Sequence, residues 1–162
     1  MIVVSDTSVI GNLLMVDKLH LLNALFEKVI IPDKVADELS ALETFGYNVD
    51  NIFQAEIISV RSVKNREKVE SLLEELDPGE SEAIVLALEL DIPLLLIDEK
   101  TGRAKAEELG IEVTGLLGIL LRAKAKGSIP ALKPIVDSLI SDAKFFINDK
   151  LYKSVLLKAR ED

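Results

Sequence analysis

Four acidic residues, Asp6, Glu38, Glu82 and Asp98, stand where a carboxylate is either costly or placed for chemistry. Asp6 directly follows the apolar run Ile2-Val3-Val4, and Asp98 directly follows the run Ile92–Ile97. In open parallel α/β sheets the ligand crevice lies outside the carboxyl ends of strands, so both side chains can reach one rim. Glu38 comes three residues after Val35 and four before Leu42, on the same helical stripe as both, and Glu82 stands one turn before Val85 and Leu86. A carboxylate on a core-facing stripe is costly unless it is paired, protonated or bound to a cation. Gathered together, four such groups repel one another, and a divalent cation removes that repulsion. The chain has no cysteine and one histidine, His20, so the available donors are hard oxygens, which select Mg²⁺ or Mn²⁺ over zinc. A pair of such ions roughly 4 Å apart activates a water and neutralises charge on a phosphodiester during an in-line displacement. The expected chemistry is hydrolysis of a phosphate ester, with Asp6, Glu38, Glu82 and Asp98 as the catalytic and metal-binding set.

Each acid taken singly has a simpler explanation. Asp6 and Asp98 precede expected helices and can serve as N-caps. Glu38 and Glu82 can stay solvated at helix edges. Asp77 and Glu80 are accounted for by a capping box around Pro78, with no role in a site required. His20 reads as a surface or partly packed helix residue. Coincidence explains each of the four better than it explains all of them together.

The elements that must position these acids follow from hydrophobic periodicity. Ile2–Val4, Val29–Ile31, Ala55–Val60, Ile92–Ile97 and Ile111–Val113 read as strands, and the unbroken apolar character of Ile92–Ile97 suits a strand buried on both faces of a parallel sheet. Helical spacing runs through Val9, Ile10, Leu13 and Leu14 and continues through Leu19, Leu22 and Phe26; another helix opens at Pro32-Asp33. Thr44–Gln54 is less periodic and reads as a loop or helical hairpin. Further helices are expected from Asp77 to about Leu90, over Arg103–Leu109 ending at Gly110, and over Leu116–Lys126 ending at Gly127. The last two span Pro134–Ala143 and Asp149–Arg160. The alternation predicts a three-layer α/β/α fold with a mostly parallel central sheet and extra C-terminal helices. No repeat or Gly/Ser-rich linker divides the chain, so residues 1–162 are expected to form one domain with a helical C-terminal extension over about 116–162.

The 162 residues include 28 acidic and 19 basic side chains, for a formal charge of −9, which argues against bulk attraction to phosphate backbones. Hydrophobic residues make up 49% and aromatic ones only 4%, so the core must be aliphatic and extensive base stacking is not expected. Without cysteine, disulfide frameworks, thiolate nucleophiles and zinc knuckles are excluded. Met1–Val4 runs straight into Ser5-Asp6 with no basic region or long apolar stretch of a secretory signal, and no apolar run approaches the roughly 20 residues that span a bilayer. A soluble, cytoplasmic protein with no membrane association is expected.

Several short motifs together resemble the PIN-domain nucleases: Val4-Ser5-Asp6-Thr7-Ser8, Val35-x-x-Glu38-Leu39, Gly79-Glu80-Ser81-Glu82-Ala83-Ile84 and Leu96-Ile97-Asp98. The runs Leu96–Arg103 and Val113–Gly118 are most similar to a PIN-like subgroup long labelled a domain of unknown function. The resemblance covers nearly the whole chain. It implies a PIN fold, Mg²⁺- or Mn²⁺-dependent cleavage of single-stranded RNA, and a toxin role in toxin–antitoxin pairs with an antitoxin protein as partner. It further implies that Asp6, Glu38, Glu82 and Asp98 form the acidic cluster, that Ser8 donates a hydrogen bond to Asp6, and that the chain pairs as a homodimer. Glu82 aligns with a position the family commonly fills with Asp, and Glu99 stands where an Asp often follows.

RNA also requires positive charge near the rim. Lys100, Arg103 and Lys105 follow Asp98 and are candidates for phosphate contacts, with Lys100 and Arg103 taken as the substrate-binding pair. Arg122, Lys124 and Lys126 read more simply as a solvated helix face. The competing expectation is a catalytically silent PIN-like interaction module, with Leu151, Val155, Leu156 and Ala159 forming an apolar stripe for the core or for a second copy. A phospho-acceptor receiver domain would need an acceptor Asp mid-chain and a Lys after a late strand, and the sequence offers no such pair.

Overall fold

Five short runs of mainly aliphatic residues build one sheet in the computed structural model, which describes residues 1–161; Asp162, the last residue of the expected C-terminal extension, lies outside the described residues. The strands are β1 (Ile2–Ser5), β2 (Lys28–Pro32), β3 (Ile58–Arg61), β4 (Leu94–Leu96) and β5 (Glu112–Thr114). They pair in the order β3-β2-β1-β4-β5, and every pairing is parallel. A sheet expected to be mostly parallel is thus parallel throughout the described residues. Val4 lies opposite Leu95 and Ser5 opposite Leu96, and the Asp6 N–H donates to the Leu96 carbonyl at 2.9 Å. That register sends Asp6 and Asp98 out of the same end of neighbouring strands.

Helices cover both faces, which is why the strands lack polar alternation. Val3, Val29, Ile31, Leu94 and Leu96 point to one face. There they meet α1 (Thr7–Met15), α2 (Leu21–Leu25), α3 (Asp33–Ser40), α4 (Asp50–Phe53), α8 (Leu116–Ala125), α9 (Lys133–Asp142) and α10 (Asp149–Lys158). Val4, Ile30, Leu95 and Ile97 point to the other, against α5 (Arg66–Leu72), α6 (Pro78–Glu89) and α7 (Lys100–Glu108). Burying aliphatic side chains on both faces removes on the order of 2 kcal/mol of exposure cost per side chain, and this is the main force holding the three layers.

Most boundaries fall within three residues of expectation, but the helical pattern expected to continue from Leu14 through Leu19, Leu22 and Phe26 breaks between α1 and α2, where Asp17 takes a left-handed φ of 56°. β4 is shorter than Ile92–Ile97 because Pro93 has no N–H to give a ladder. Thr44–Gln54 resolves into a 3-10 turn over Ala41–Phe45, closed by Gly46 at φ 89°, and then α4. The sequence reading missed α5, whose signal was an Asn65 cap, accepting from the Lys68 N–H at 3.1 Å, and buried Val69 and Leu72 three residues apart. In the C-terminal third, Val155, Leu156 and Ala159 pack on the core while Leu151 of the same stripe is half-exposed. The Glu161 carboxylate accepts from the Leu132 and Lys133 N–H groups, both at 2.9 Å, and pairs with Lys124 Nζ at 2.7 Å, closing the start of α9. No helix among the described residues is long and apolar enough to cross a membrane.

The capping box at α6 forms in full. The Glu80 N–H donates to Asp77 Oδ1 at 2.8 Å, the Asp77 N–H donates to Glu80 Oε1 at 3.3 Å, and Pro78 occupies the first turn. Because α6 is buried along most of its length, a frayed start exposes core. Asp77→Ala is expected to cost about 1 kcal/mol, seen as a fall of roughly 2–4 °C in a thermal melt followed by circular dichroism.

Candidate active site

β1 ends at Ser5, and the next residue turns the chain into α1. Asp6 is the N-cap of that helix: Oδ1 accepts from the Val9 N–H at 3.2 Å, and Oδ2 accepts from the Ser8 hydroxyl at 3.1 Å. The capping role and the rim position coexist. Asp6 is only 2% exposed, and burial pushes its carboxyl up to about 7, against the Val9 N–H and with added repulsion from Asp98 and Glu80.

Glu38, on α3, takes the Thr7 hydroxyl on Oε1 at 2.6 Å. Its carboxylate lies directly over Gly79, where a Cβ would collide with Glu38 Oε1 and come within 3.2 Å of Thr7 Oγ1. Glycine at 79 thus leaves the Glu38 carboxylate its place, which a Cβ would force it to leave. Glu80 is 7% exposed, and its carboxyl is pushed up to about 7 by burial first and by Asp77 next. Asp6, Glu38, Asp77, Glu80 and Glu99 line one cavity of about 370 Å³ together with Thr7 and Ser8. No basic side chain among the described residues shares it.

Asp98 lies next to this cavity. It does not cap the helix that follows it; Glu99 does, accepting from the Gly102 N–H at 2.8 Å. Asp98 Oδ1 instead accepts from the Leu116 N–H at the start of α8, at 2.9 Å. Asp98 Oδ2 is buried and finds no hydrogen-bond partner among the described residues. Burial raises this carboxyl's pKa, while the Leu116 N–H and the Arg103 charge oppose the rise.

Glu82 does not join the rim, which corrects the sequence expectation. Two residues along an α-helix rotate the side chain by about 200°, so Glu82 faces away when Glu80 faces the cavity. Its Oε1 accepts from the Lys34 N–H at 3.0 Å and its Oε2 from Arg66 Nη1 at 2.8 Å. The N-cap of α3 is Pro32, which has no side-chain acceptor, so Glu82 supplies one from α6. Glu80 was passed over because its capping box seemed a complete explanation. The missed signal was its place in the first turn of a helix that begins at the rim; Glu82 lies a half-turn further in.

The cations divide in the same way. Lys105 pairs with Glu75 at 3.4 Å and Glu108 at 3.3 Å, Lys124 is held by Glu161, and Lys126 Nζ donates to the Ala24 carbonyl at 3.1 Å. Lys100 and Arg103 make no ion pair with a described carboxylate. Arg103 Nη1 donates to the Ile97 carbonyl at 3.3 Å and lies beside Gly115.

Asp6, Glu38, Glu80 and Asp98 suit a divalent ion in kind: all are hard oxygen donors, three of the carboxyls have raised pKa values, and one buried oxygen lacks a partner among the described residues. As arranged, no three acidic or imidazole side chains among the described residues stand close enough together to hold one ion.

A family model for the PIN domain matches residues 2–161. The chain belongs to the PIN-domain family. PIN domains are generally metal-dependent nucleases that use divalent ions. Among solved structures this PIN domain is similar to a PilT N-terminus domain protein, SSO1118, from the hyperthermophilic archaeon Sulfolobus solfataricus P2. The two are 24% identical with a TM-score of 0.51, over 76% of this chain and 93% of that one, and the likeness bears on the fold. A search of the curated proteins found no match.

Two outcomes are expected of this PIN domain. Glu82→Ala uncaps α3 and frees Arg66, lowering stability by roughly 1–3 kcal/mol without changing Mn²⁺ binding, whereas Glu80→Gln weakens Mn²⁺ binding; calorimetric titration and urea unfolding separate the two. The second concerns pH without metal. Asp6 has a folded pKa of about 7 against an ordinary 3.8, so the folded state holds the proton more tightly and stability falls as pH rises through that interval. Asp6→Asn keeps a capping acceptor and removes this loss. Between about pH 4 and 7.5 the wild type should lose at least about 1.4 kcal/mol relative to the variant, or roughly 2–4 °C in melts with chelator present.

Proposed function

We propose that this chain is a Mg²⁺- or Mn²⁺-dependent endoribonuclease that cleaves single-stranded RNA in the cytoplasm, as the toxin of a toxin–antitoxin pair. Homodimer assembly and restraint by an antitoxin protein belong to the same reading and rest on the family resemblance. The observation that carries the chemistry is Asp98 Oδ2, buried without a hydrogen-bond partner among the described residues, just beyond the strand end next to the buried Asp6.

In this reading Asp6, Glu38, Glu80 and Asp98 would have to draw closer together than they stand here to hold a divalent ion, which would supply Lewis acidity and charge neutralisation when bound. The protein's own groups orient the donors. The Ser8 hydroxyl and Val9 N–H fix Asp6, the Thr7 hydroxyl fixes Glu38, and the Leu116 N–H fixes Asp98. Lys100 and Arg103 offer positive charge to the scissile strand on the side where Asp98 opens. Hydrolysis attaches a water oxygen to phosphorus, breaks the bond to the departing ribose oxygen, and delivers a proton to that oxygen.

A second reading, a catalytically silent PIN-like interaction module, is favoured by the way the carboxylates divide. Asp98 lines one cavity while Asp6, Glu38 and Glu80 line another. The deciding assay follows cleavage of labelled single-stranded RNA in Mn²⁺, with EDTA and duplex RNA as controls. The wild type is expected to cut only the single strand and only with metal, and Asp6→Asn combined with Asp98→Asn is expected to slow cleavage at least about a hundredfold. Equal rates for the two proteins, or no cleavage together with no saturable Mn²⁺ site, would favour the silent module.

A further inference from the structure

Five phenylalanines are all the chain has, and two adjacent ones, Phe145 and Phe146, line a single cavity of about 770 Å³ on the far side of Asp98 from the acid-lined one. They lie between α9 and α10 in a segment tied at both ends. The Phe145 N–H donates to the Leu139 carbonyl at 2.9 Å, and Asn148 caps α10 by accepting from the Leu151 N–H at 2.8 Å. Phe145 packs partly on the core, whereas Phe146 is 88% exposed. An exposed ring alone means little. This one shares its cavity with Lys100 and Arg103 from α7 and Lys158 from α10, in a chain whose net charge is −9. Glu107 and Asp98 are the acids on the same wall, so the cavity carries more cations than carboxylates while the neighbouring one carries carboxylates alone.

An excess of cations next to an exposed flat ring matches an anionic backbone bearing aromatic bases. An apolar helix from a protein partner would use the ring but bring no anion to Lys100 and Lys158. A second copy, itself at −9, adds repulsion between whole chains even where its acids would meet these cations. The volume lies in the range that takes a drug-sized ligand, which leaves room for one or two bases.

We propose that single-stranded RNA passes from the acidic rim over Asp98 into this cavity, with one base stacked on Phe146 and flanking phosphates held by Lys100, Arg103 and Lys158. This subsite rests on the nuclease reading for its substrate, and it locates the recognition of the strand outside the acidic cluster. Stacking on one ring tolerates any base, so the subsite selects single strands over duplexes rather than a particular sequence.

The test separates binding from cleavage. A short single-stranded RNA carrying 2-aminopurine is titrated with protein in EDTA, reading fluorescence anisotropy for affinity and base quenching for stacking. Phe146→Ala is expected to weaken binding roughly tenfold and to abolish the quenching. Leu157→Ala, which removes a similarly exposed apolar side chain from α10 outside the cavity, is expected to change neither. Phe146→Ala binding and quenching like the wild type overturns the subsite, as does a wild type that binds no single strand. A Phe146→Ala variant that only converts a dimer to monomer, with RNA affinity intact, overturns it in favour of an interface between copies. Loss of binding in Phe146→Ala with no Mn²⁺-dependent cleavage by the wild type sinks the nuclease reading and spares the subsite; the reverse pattern does the opposite.

Discussion

The structure turns on how negative charge is kept at the carboxyl end of a parallel sheet. Four of the acids there are held by backbone N–H groups at the start of a helix: Asp6 by Val9 of α1, Asp77 by Glu80 of α6, Glu99 by Gly102 of α7, and Asp98 by Leu116 of α8. A parallel strand followed by a helix delivers free N–H donors and the positive end of the helix dipole to this rim. Those donors offset part of the cost of burying carboxylates and fall short of the whole, as the raised pKa values of Asp6, Glu80 and Asp98 record. A rim built this way is mechanically fixed and electrostatically incomplete, a combination suited to receiving a cation.

Much of this was legible in the sequence because apolar runs and caps are local signals. Ile2–Val4 announced a strand and Ile92–Ile97 a strand buried on both faces, and Gly110 and Gly127 announced helix ends, both with positive φ, at 84° and 78°. Asp6 and Asp98 were placed at one rim by the rule that strands of a parallel sheet end together. The choice between Glu80 and Glu82 was not legible in the same way. Periodicity says that a side chain faces something, and for Glu82 that something was the start of α3 and Arg66, contacts made across 48 and 16 residues of sequence. A capping box explains Glu80 locally, yet one carboxylate can serve a backbone N–H and still face a cavity. Composition is silent on one further point: a 4% aromatic content says nothing about where in the chain the rings stand.

Glycine does specific work at two closures of the rim. At Gly79 the missing side chain makes room for the Glu38 carboxylate, and at Gly115 it makes room for Asp98 and Arg103 together. Both positions lie at the start of a helix, α6 and α8, where a helix approaches a charged group from another element. The spacing of the acids is therefore set partly by backbones that can come unusually near, and only partly by the length of the acidic side chains.

The strand order has a consequence for how the molecule comes into being. β1 is made well before β4, its partner on one side, with Val4 against Leu95. Emerging from the ribosome, β1 has only β2 to pair with until the chain has grown past Leu96. Pairings between such distant segments form slowly, because the intervening loop must be closed first. The acidic rim is accordingly one of the last features to assemble, and a nascent or truncated chain that stops short of β4 carries Asp6, Glu38 and Glu80 but lacks Asp98.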